Sequence, residues 1–286
     1  MDKKRGFTLI ELLVVIAIIA LLMSILMPAL SKVRKQAMAV VCRSRLKQWG
    51  VVFSMYTGEN DNYFHAREIG NTAGYRRMWP YTYKKLYSDP KMRFCPTAEN
   101  PKLVTGAFGT WNYTVGSYRP LPDCPMAGER EYDVTTNSVR DGFFTGSYGM
   151  NRLVENMQGG TIATDPAYWR KVDVKGGATV PVLMDCQYLY YNPSSIGIPP
   201  AYNGEYSTPE MHWICIDRHM GFTNICFLDF SARKVGLKEL WALKHSRTYN
   251  ACASGGWTIC AFNGDKTACH GAWHDAAAWM DKMPEY

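Results

Sequence analysis

Charge is missing from one long stretch of this chain. Between Leu12 and Met27 there is no Asp, Glu, Lys or Arg, and Ser24 is the only polar side chain. A surface element of a globular domain carries a polar face, so that role is excluded for this run. Signatures of catalysis and of metal binding are also absent. The nine cysteines and six histidines form no Cys-x-x-Cys, no His-Glu-x-x-His and no finger-like pair, so no resident metal is expected, even with His212, Asp217, His219 and Asp185 in the same half of the chain. Gly-x-Ser-x-Gly is missing, and Gly146-Ser147-Tyr148-Gly149 lacks the spacing of a nucleophile elbow. Asp173, Asp185, Glu205 and Asp217 offer many carboxylate pairings and favour none, so glycosidic chemistry has no anchor point. The formal charge of +7 is spread out, with no basic stripe interleaved with aromatics beyond the N-terminal region, which argues against nucleic acid as a partner. There is no internal repeat. A non-enzymatic protein is expected.

The N-terminus is where the sequence is specific. Lys3-Lys4-Arg5-Gly6-Phe7-Thr8-Leu9-Ile10-Glu11 leads into an apolar run that reaches Leu30. As a helix, residues 7–30 would measure about 36 Å, enough for a hydrocarbon core of about 30 Å. A secretory signal peptide has a shorter apolar region closed by a small-residue A-x-A site. Here the small residue, Gly6, precedes the run, so a cut after it would remove the cationic tip and leave the helix on the chain. Such a cut takes off a net +2 and leaves +5. Glu11 is the exception in the run. A carboxylate in an apolar helix costs about 3 kcal/mol on insertion scales and calls for a partner. Cleavage after Gly6 would create one, the new α-ammonium of Phe7, one helical turn away in the same chain or offered by a neighbouring copy.

The motif Lys4-Arg5-Gly6-Phe7-Thr8-Leu9-Ile10-Glu11 resembles the start of type IV pilins and type II secretion pseudopilins, and Pro28 stands where many of them carry a helix-kinking proline. The resemblance implies cleavage between Gly6 and Phe7 by a prepilin peptidase, and N-methylation of Phe7. It implies packing of the helices into a filament core through Glu11 and Pro28. The partners implied are other pilin or pseudopilin subunits, an inner-membrane assembly platform and membrane lipid. It also sets the orientation, single-pass in the inner membrane with the tip cytoplasmic and the body periplasmic or extracellular. Charge does not set it, because Lys32, Arg34 and Lys35 after the run balance Lys3, Lys4 and Arg5 before it.

The expected organisation is a leader at 1–6, a transmembrane helical segment at 7–30, its amphipathic continuation at 31–58 and a β-rich body at 59–286. Met38/Ala39, Cys42, Leu46, Trp49, Phe53 and Tyr56 recur at helical spacing, the stripe of a helix facing a core, with Gly58 as its C-cap. The body turns to short apolar runs between Gly and Pro signals, with strands expected at 110–118, 142–148, 180–184, 222–228 and 231–235. The segment 191–210 reads as an irregular excursion and 272–283 as a last helix. The fold class is therefore α+β, a long N-terminal helix packed on an antiparallel sheet with long loops. Eight cysteines in an exported body are compatible with disulfides, for which Cys252, Cys260 and Cys269 form the candidate cluster; spacing does not fix the pairing, and buried free thiols are the alternative.

In the C-terminal half, Arg218-His219-Met220-Gly221-Phe222-Thr223-Asn224 and Asp229 read as a turn, a strand and an acidic turn. Gly221 would permit a tight approach and Asn224 would satisfy loop backbone. Asp185 or Asp229 would be the hydrogen-bond partner of His219, Asp229 across the sheet edge. This segment resembles pilin-like proteins abundant in planctomycetes, with a His, nine residues and then Asp-Gly; Phe230 stands in place of that Gly. Phe94-Cys95-Pro96, Ser147-Tyr148-Gly149-Met150-Asn151 and Met184-Asp185 are further landmarks of that likeness, which leaves residues 236–286 as an extension. No cofactor is expected. Calcium has thin support from the Asn263-Gly264-Asp265 turn, since one Asp does not make an oxygen cage. The leading expectation is a filament subunit. The alternative is a carbohydrate- or surface-binding protein displayed on a pilin-type anchor, with Tyr188, Tyr190, Tyr191, Tyr202, Tyr206 and Trp213 as its stacking surface.

Overall fold

A computed structural model describes residues 9–68, 79–98, 111–114, 130–133, 138–141, 143–158, 161–193, 199–205 and 210–249. Helix α1 runs unbroken over Leu9–Gly58, about 75 Å at the usual rise. Its two parts are solvated differently. Every residue from Leu9 to Ala37 is exposed, whereas Met38 and Ala39 are half-buried and Cys42, Leu46, Trp49, Val52 and Phe53 are buried. The expected stripe is the docking face. The helix ends at Gly58, but the left-handed turn beyond it is made by Asp61 and Asn62, at φ 52° and 64°. Asp and Asn tolerate that conformation through local hydrogen bonding; the Asn62 amide returns to the Thr57 carbonyl at 2.9 Å.

Strand β1 (Ala66–Glu68), helix α2 (Trp79–Thr82) and a turn at Pro90–Arg93 follow. Strands β2 (Trp111–Thr114) and β5 (Phe143–Gly146) pair antiparallel, as do β3 (Arg130–Asp133) and β4 (Ser138–Asp141). The main sheet consists of β6 (Tyr148–Asn151), β8 (Pro181–Asp185), β9 (Tyr190–Tyr191), β10 (Phe222–Phe227) and β11 (Ala232–Gly236), in the order β11-β10-β8-β6-β9. All its pairs are antiparallel except β6 with β9. Strand β7 (Asn156–Gln158) pairs with β1 in parallel, outside this sheet. The strands expected at 180–184, 222–228 and 231–235 form. The 110–118 strand is described only over β2, and the 142–148 run divides between β5 and β6. Among the described residues, 192–205 has no regular element, as expected of the 191–210 excursion. The helix expected at 272–283 lies outside the described residues.

Both faces of the main sheet are covered, whereas the sequence suggested only the helix side. On one face Leu46, Trp49 and Phe53 of α1 meet Trp79, Tyr83, Val182 and Cys226. On the other, Met184, Ile225 and Phe227 meet Met211, Ile214, Leu240 and Trp241, supplied by helix α3 (Met211–Ile214) and the turn at Lys238–Ala242. Strand alternation puts Cys226 on one side and its neighbours Ile225 and Phe227 on the other. Trp49 anchors the helix side. Its ring meets Trp79 edge-on at 5.1 Å between centroids, and its indole N–H donates to the Met92 carbonyl at 2.6 Å. Removing a buried aromatic of this kind costs about 3–5 kcal/mol.

Candidate functional site

The first candidate is the bare half of α1. Leu9, Leu21, Ile25 and Leu30 are each at least 65% exposed, so this apolar surface has no cover within the chain. An exposed apolar surface this long marks a membrane or a protein partner. Among the described residues, α1 is the one helix long and apolar enough to cross a bilayer. Glu11 lies in its first turn, on exposed helix. Gly6 and Phe7 lie outside the described residues. Pro28 is inside the continuous helix and has no N–H to give the Ser24 carbonyl four residues back. The Ser24 hydroxyl turns to the Leu21 carbonyl at 2.7 Å.

Polar contacts add to the apolar docking of the lower half, where α1 side chains donate to carbonyls of the body. Arg45 reaches Phe94 at 2.7 Å and Lys47 reaches Phe230 at 3.0 Å. In return, the Asn224 amide donates to the Ala39 carbonyl at 3.1 Å. Asn224 therefore tethers the helix.

The C-terminal motif converges on Asp185. Arg218 donates to its Oδ1 at 3.1 Å, and also to the carbonyls of Ser147 at 2.7 Å and Cys186 at 3.2 Å. His219 Nε2 lies 3.2 Å from Asp185 Oδ2. Of the two expected partners of His219, the structure selects Asp185. Asp229 accepts instead from the N–H and hydroxyl of Ser231, beyond the far end of β10, and a six-residue strand of about 20 Å keeps it from His219. The turn at Asp229 closes without the usual Gly because Phe230 takes φ 63°. Gly221, at φ 87° after Met220 at 58°, turns the chain from His219 into β10, and its N–H donates to Asp217 Oδ1 at 2.6 Å. His212 lies elsewhere, 3.7 Å from Glu205.

Two cysteines that the sequence did not connect with this motif complete the cluster. Cys42 Sγ is 3.6 Å from Asp185 Oδ2, and Cys95 Sγ is 3.3 Å from His219 Nε2. All four residues are buried. Burial disfavours the Asp185 charge, yet His219 and Arg218 hold its carboxyl well below the usual carboxylate range. Burial alone would lower His219, but Asp185 raises it to about 10. Cys95 comes down to about 6 against its burial, through Cys42 and His219, while burial and its neighbours push Cys42 well up. No helical or paired spacing joins these positions, so only the close docking of α1 could have revealed them. A second buried group was likewise unforeseen: His65 lies 2.8 Å from Glu155 and 3.0 Å from the Tyr83 hydroxyl.

The remaining described cysteines, Cys186, Cys215 and Cys226, are buried free thiols, and burial raises each of them, Cys186 to about 12. The expected bridges among Cys252, Cys260 and Cys269, and the Asn263-Gly264-Asp265 turn, lie outside the described residues. Of the proposed sugar-stacking aromatics, Tyr190 and Tyr191 are buried and Tyr188 packs on Trp213 at 4.9 Å between centroids; Tyr202 is exposed, and Tyr206 lies outside the described residues.

A long N-terminal helix, apolar and bare at one end and docked at the other on a mostly antiparallel sheet, is an α+β layout of pilin type. The chain is type IV pilin-like, a description that fits membrane anchoring and rests on sequence relationships as well. A family model described as the prokaryotic N-terminal methylation motif matches residues 1–27. The chain is 26% identical over 205 residues to the type IV major pilin protein PilA of Myxococcus xanthus, covering 60% of this chain and 93% of that protein. It is 44% identical over 63 residues to the type IV wide pilus major component PilA4 of Thermus thermophilus, covering 22% of this chain and 48% of that protein. The second likeness thus spans about half the length of that relative. No solved structure matches significantly.

Proposed function

We propose that the chain is a pilin or pseudopilin subunit that works by assembly and catalyses no reaction. The observation that carries this reading is the apolar half of α1, exposed along its length, continuous with the docked half and bearing Glu11 in its first turn. Both named relatives are major pilin components, which supports a filament made with other subunits of the same kind. Before assembly the bare half of α1 lies in the inner membrane, with the N-terminal tip cytoplasmic and the body outside. A prepilin peptidase cuts between Gly6 and Phe7, and Phe7 is N-methylated. An assembly platform then draws the subunit out of lipid. In the filament core the apolar halves bury one another, and Glu11 pairs with the Phe7 ammonium of a neighbouring subunit. The pairing offsets the cost of placing a carboxylate in an apolar setting. The segments 1–6, 7–30, 31–58 and 59–286 serve in turn as leader, membrane span, spine and outward-facing body.

Glu11→Ala tests this reading. The variant inserts into membrane as the parent does, because removing a charge does not hinder insertion, but it fails to enter filaments. Normal filament yield from Glu11→Ala, or Met1 still present in the membrane-extracted protein by mass spectrometry, counts against it.

A further inference from the structure

The cluster at the docking face has the composition and dimensions of a metal centre. Cys42 comes from α1, Cys95 from the turn after Pro90–Arg93, Asp185 from the end of β8 and His219 from the turn into β10. One ligand atom from each lies within 4.8 Å of all the others. In a tetrahedral zinc site, bonds of about 2.3 Å to sulfur and about 2.0 Å to nitrogen and oxygen put sulfur about 3.5 Å from nitrogen or oxygen, and nitrogen about 3.3 Å from oxygen. The observed separations are 3.6 Å from Cys42 Sγ to Asp185 Oδ2, 3.3 Å from Cys95 Sγ to His219 Nε2 and 3.2 Å from His219 Nε2 to Asp185 Oδ2. Three edges of the tetrahedron are already set.

Hydrogen bonding among the four residues accounts for this convergence poorly. His219 Nε2 faces both Cys95 Sγ and Asp185 Oδ2, and a ring nitrogen carries at most one proton to share. Asp185 Oδ2 in turn is approached by Cys42 Sγ and by the Thr223 hydroxyl at 3.5 Å. Four ligand atoms held within 4.8 Å of one another are close enough to share a single cation. Outer groups support each anionic ligand in the manner of a metal site. The Tyr148 hydroxyl donates to Cys42 Sγ at 3.2 Å, the Thr97 hydroxyl lies 2.9 Å from Cys95 Sγ, and Arg218 holds Asp185 Oδ1. Charge balances as well. A divalent ion with two thiolates and one carboxylate sums to −1, and the buried Arg218 guanidinium brings the group to zero, which a buried site requires.

We propose that Cys42, Cys95, Asp185 and His219 bind one zinc ion that fastens α1 to the body. Two soft thiolate sulfurs and a borderline imidazole nitrogen favour zinc over calcium or magnesium, which take oxygen cages. Four protein ligands in a buried setting leave no open position, so the site is structural. Cys42 is the first fully buried residue of α1 after its bare half, and the ion therefore sits where the helix leaves the body. It ties together four segments that no close sequence spacing joins. The site does not depend on the proposed assembly role, and its test reads metal content, not filaments.

The experiment uses the full chain in detergent, purified without metal-affinity resin. Elemental analysis is expected to give about one zinc per chain. After chelator stripping, added Co²⁺ is expected to produce the visible bands of a tetrahedral thiolate complex, and added Zn²⁺ to bleach them. Cys95→Ser and His219→Ala are expected to lose those bands. Should either variant fail to fold, the stripped and reloaded parent decides, since its far-UV circular dichroism shows whether the fold survives and its thermal midpoint should rise on reloading. Absence of both bound zinc and the cobalt spectrum in folded parent protein overturns the proposal. A Cys42–Cys95 disulfide found by peptide mapping in the protein as isolated overturns it equally, because the same sulfurs cannot serve both roles.

Discussion

The side-chain amide of Asn224 donates to the carbonyl of Ala39 at 3.1 Å, across 185 positions of sequence, at the level where α1 ceases to touch the body. Upstream of Met38 every described residue of the helix is exposed. This contact marks the end of the spine and the start of the bare span. Asn224→Ala should therefore loosen the last docked turn, costing about 1 kcal/mol of stability, the usual worth of one such bond. A lower thermal midpoint together with faster amide exchange around Ala39 is the expected result; exchange there unchanged would remove Asn224 from the tether.

Gly50 lies inside α1, where alanine is ordinarily favoured by about 1 kcal/mol. A Cβ at this position would stand 2.6 Å from the Phe230 carbonyl oxygen and 3.4 Å from Cys226 Sγ. The β10–β11 turn would have to lift away from the helix. Gly50→Ala is expected to destabilise by about 1–3 kcal/mol, opposite in sign to its helix propensity. Chemical denaturation of the two proteins side by side measures the sign directly.

Acid sensitivity should trace to His245. Its ring is fully buried, and burial pulls it from the ordinary 6.5 to about 4, with its Nε2 2.8 Å from the Leu240 carbonyl. The unfolded chain takes up this proton from about pH 6.5 downward, while the folded chain resists until about pH 4. The His245 contribution is thus full well above pH 6.5 and falls by about 3 kcal/mol as the pH drops to 4. His245→Gln should flatten that part of the profile, read by thermal unfolding at a series of pH values.

Pro28 leaves the Ser24 carbonyl without its helical donor, inside the bare span. Pro28→Ala restores that bond. Hydrogen exchange over residues 24–32 in detergent micelles should slow, and unchanged exchange would show that the proline does not loosen the helix.

The docking face of α1 was legible because helical spacing repeats every three or four residues, and Cys42, Leu46, Trp49 and Phe53 keep it. Strands β8, β10 and β11 were legible from short apolar runs between turn signals. The turn at Phe230 was harder to read, because an aromatic residue with positive φ runs against the local preference for glycine. The sequence leaves the partner of His219 open between Asp185 and Asp229, since it does not state which end of a strand a turn will face.

Local chemistry decided the N-terminal half. An uninterrupted apolar run with one acid at its rim follows from residues adjacent in the chain, and adjacency is what a sequence records. The buried cluster is different in kind. Cys42, Cys95, Asp185 and His219 come from four segments, and their separations have no period a helix or strand would impose. Only the docking of α1 on the sheet brings those side chains together, and that docking is set by the fit of Trp49, Phe53 and Gly50 against the body.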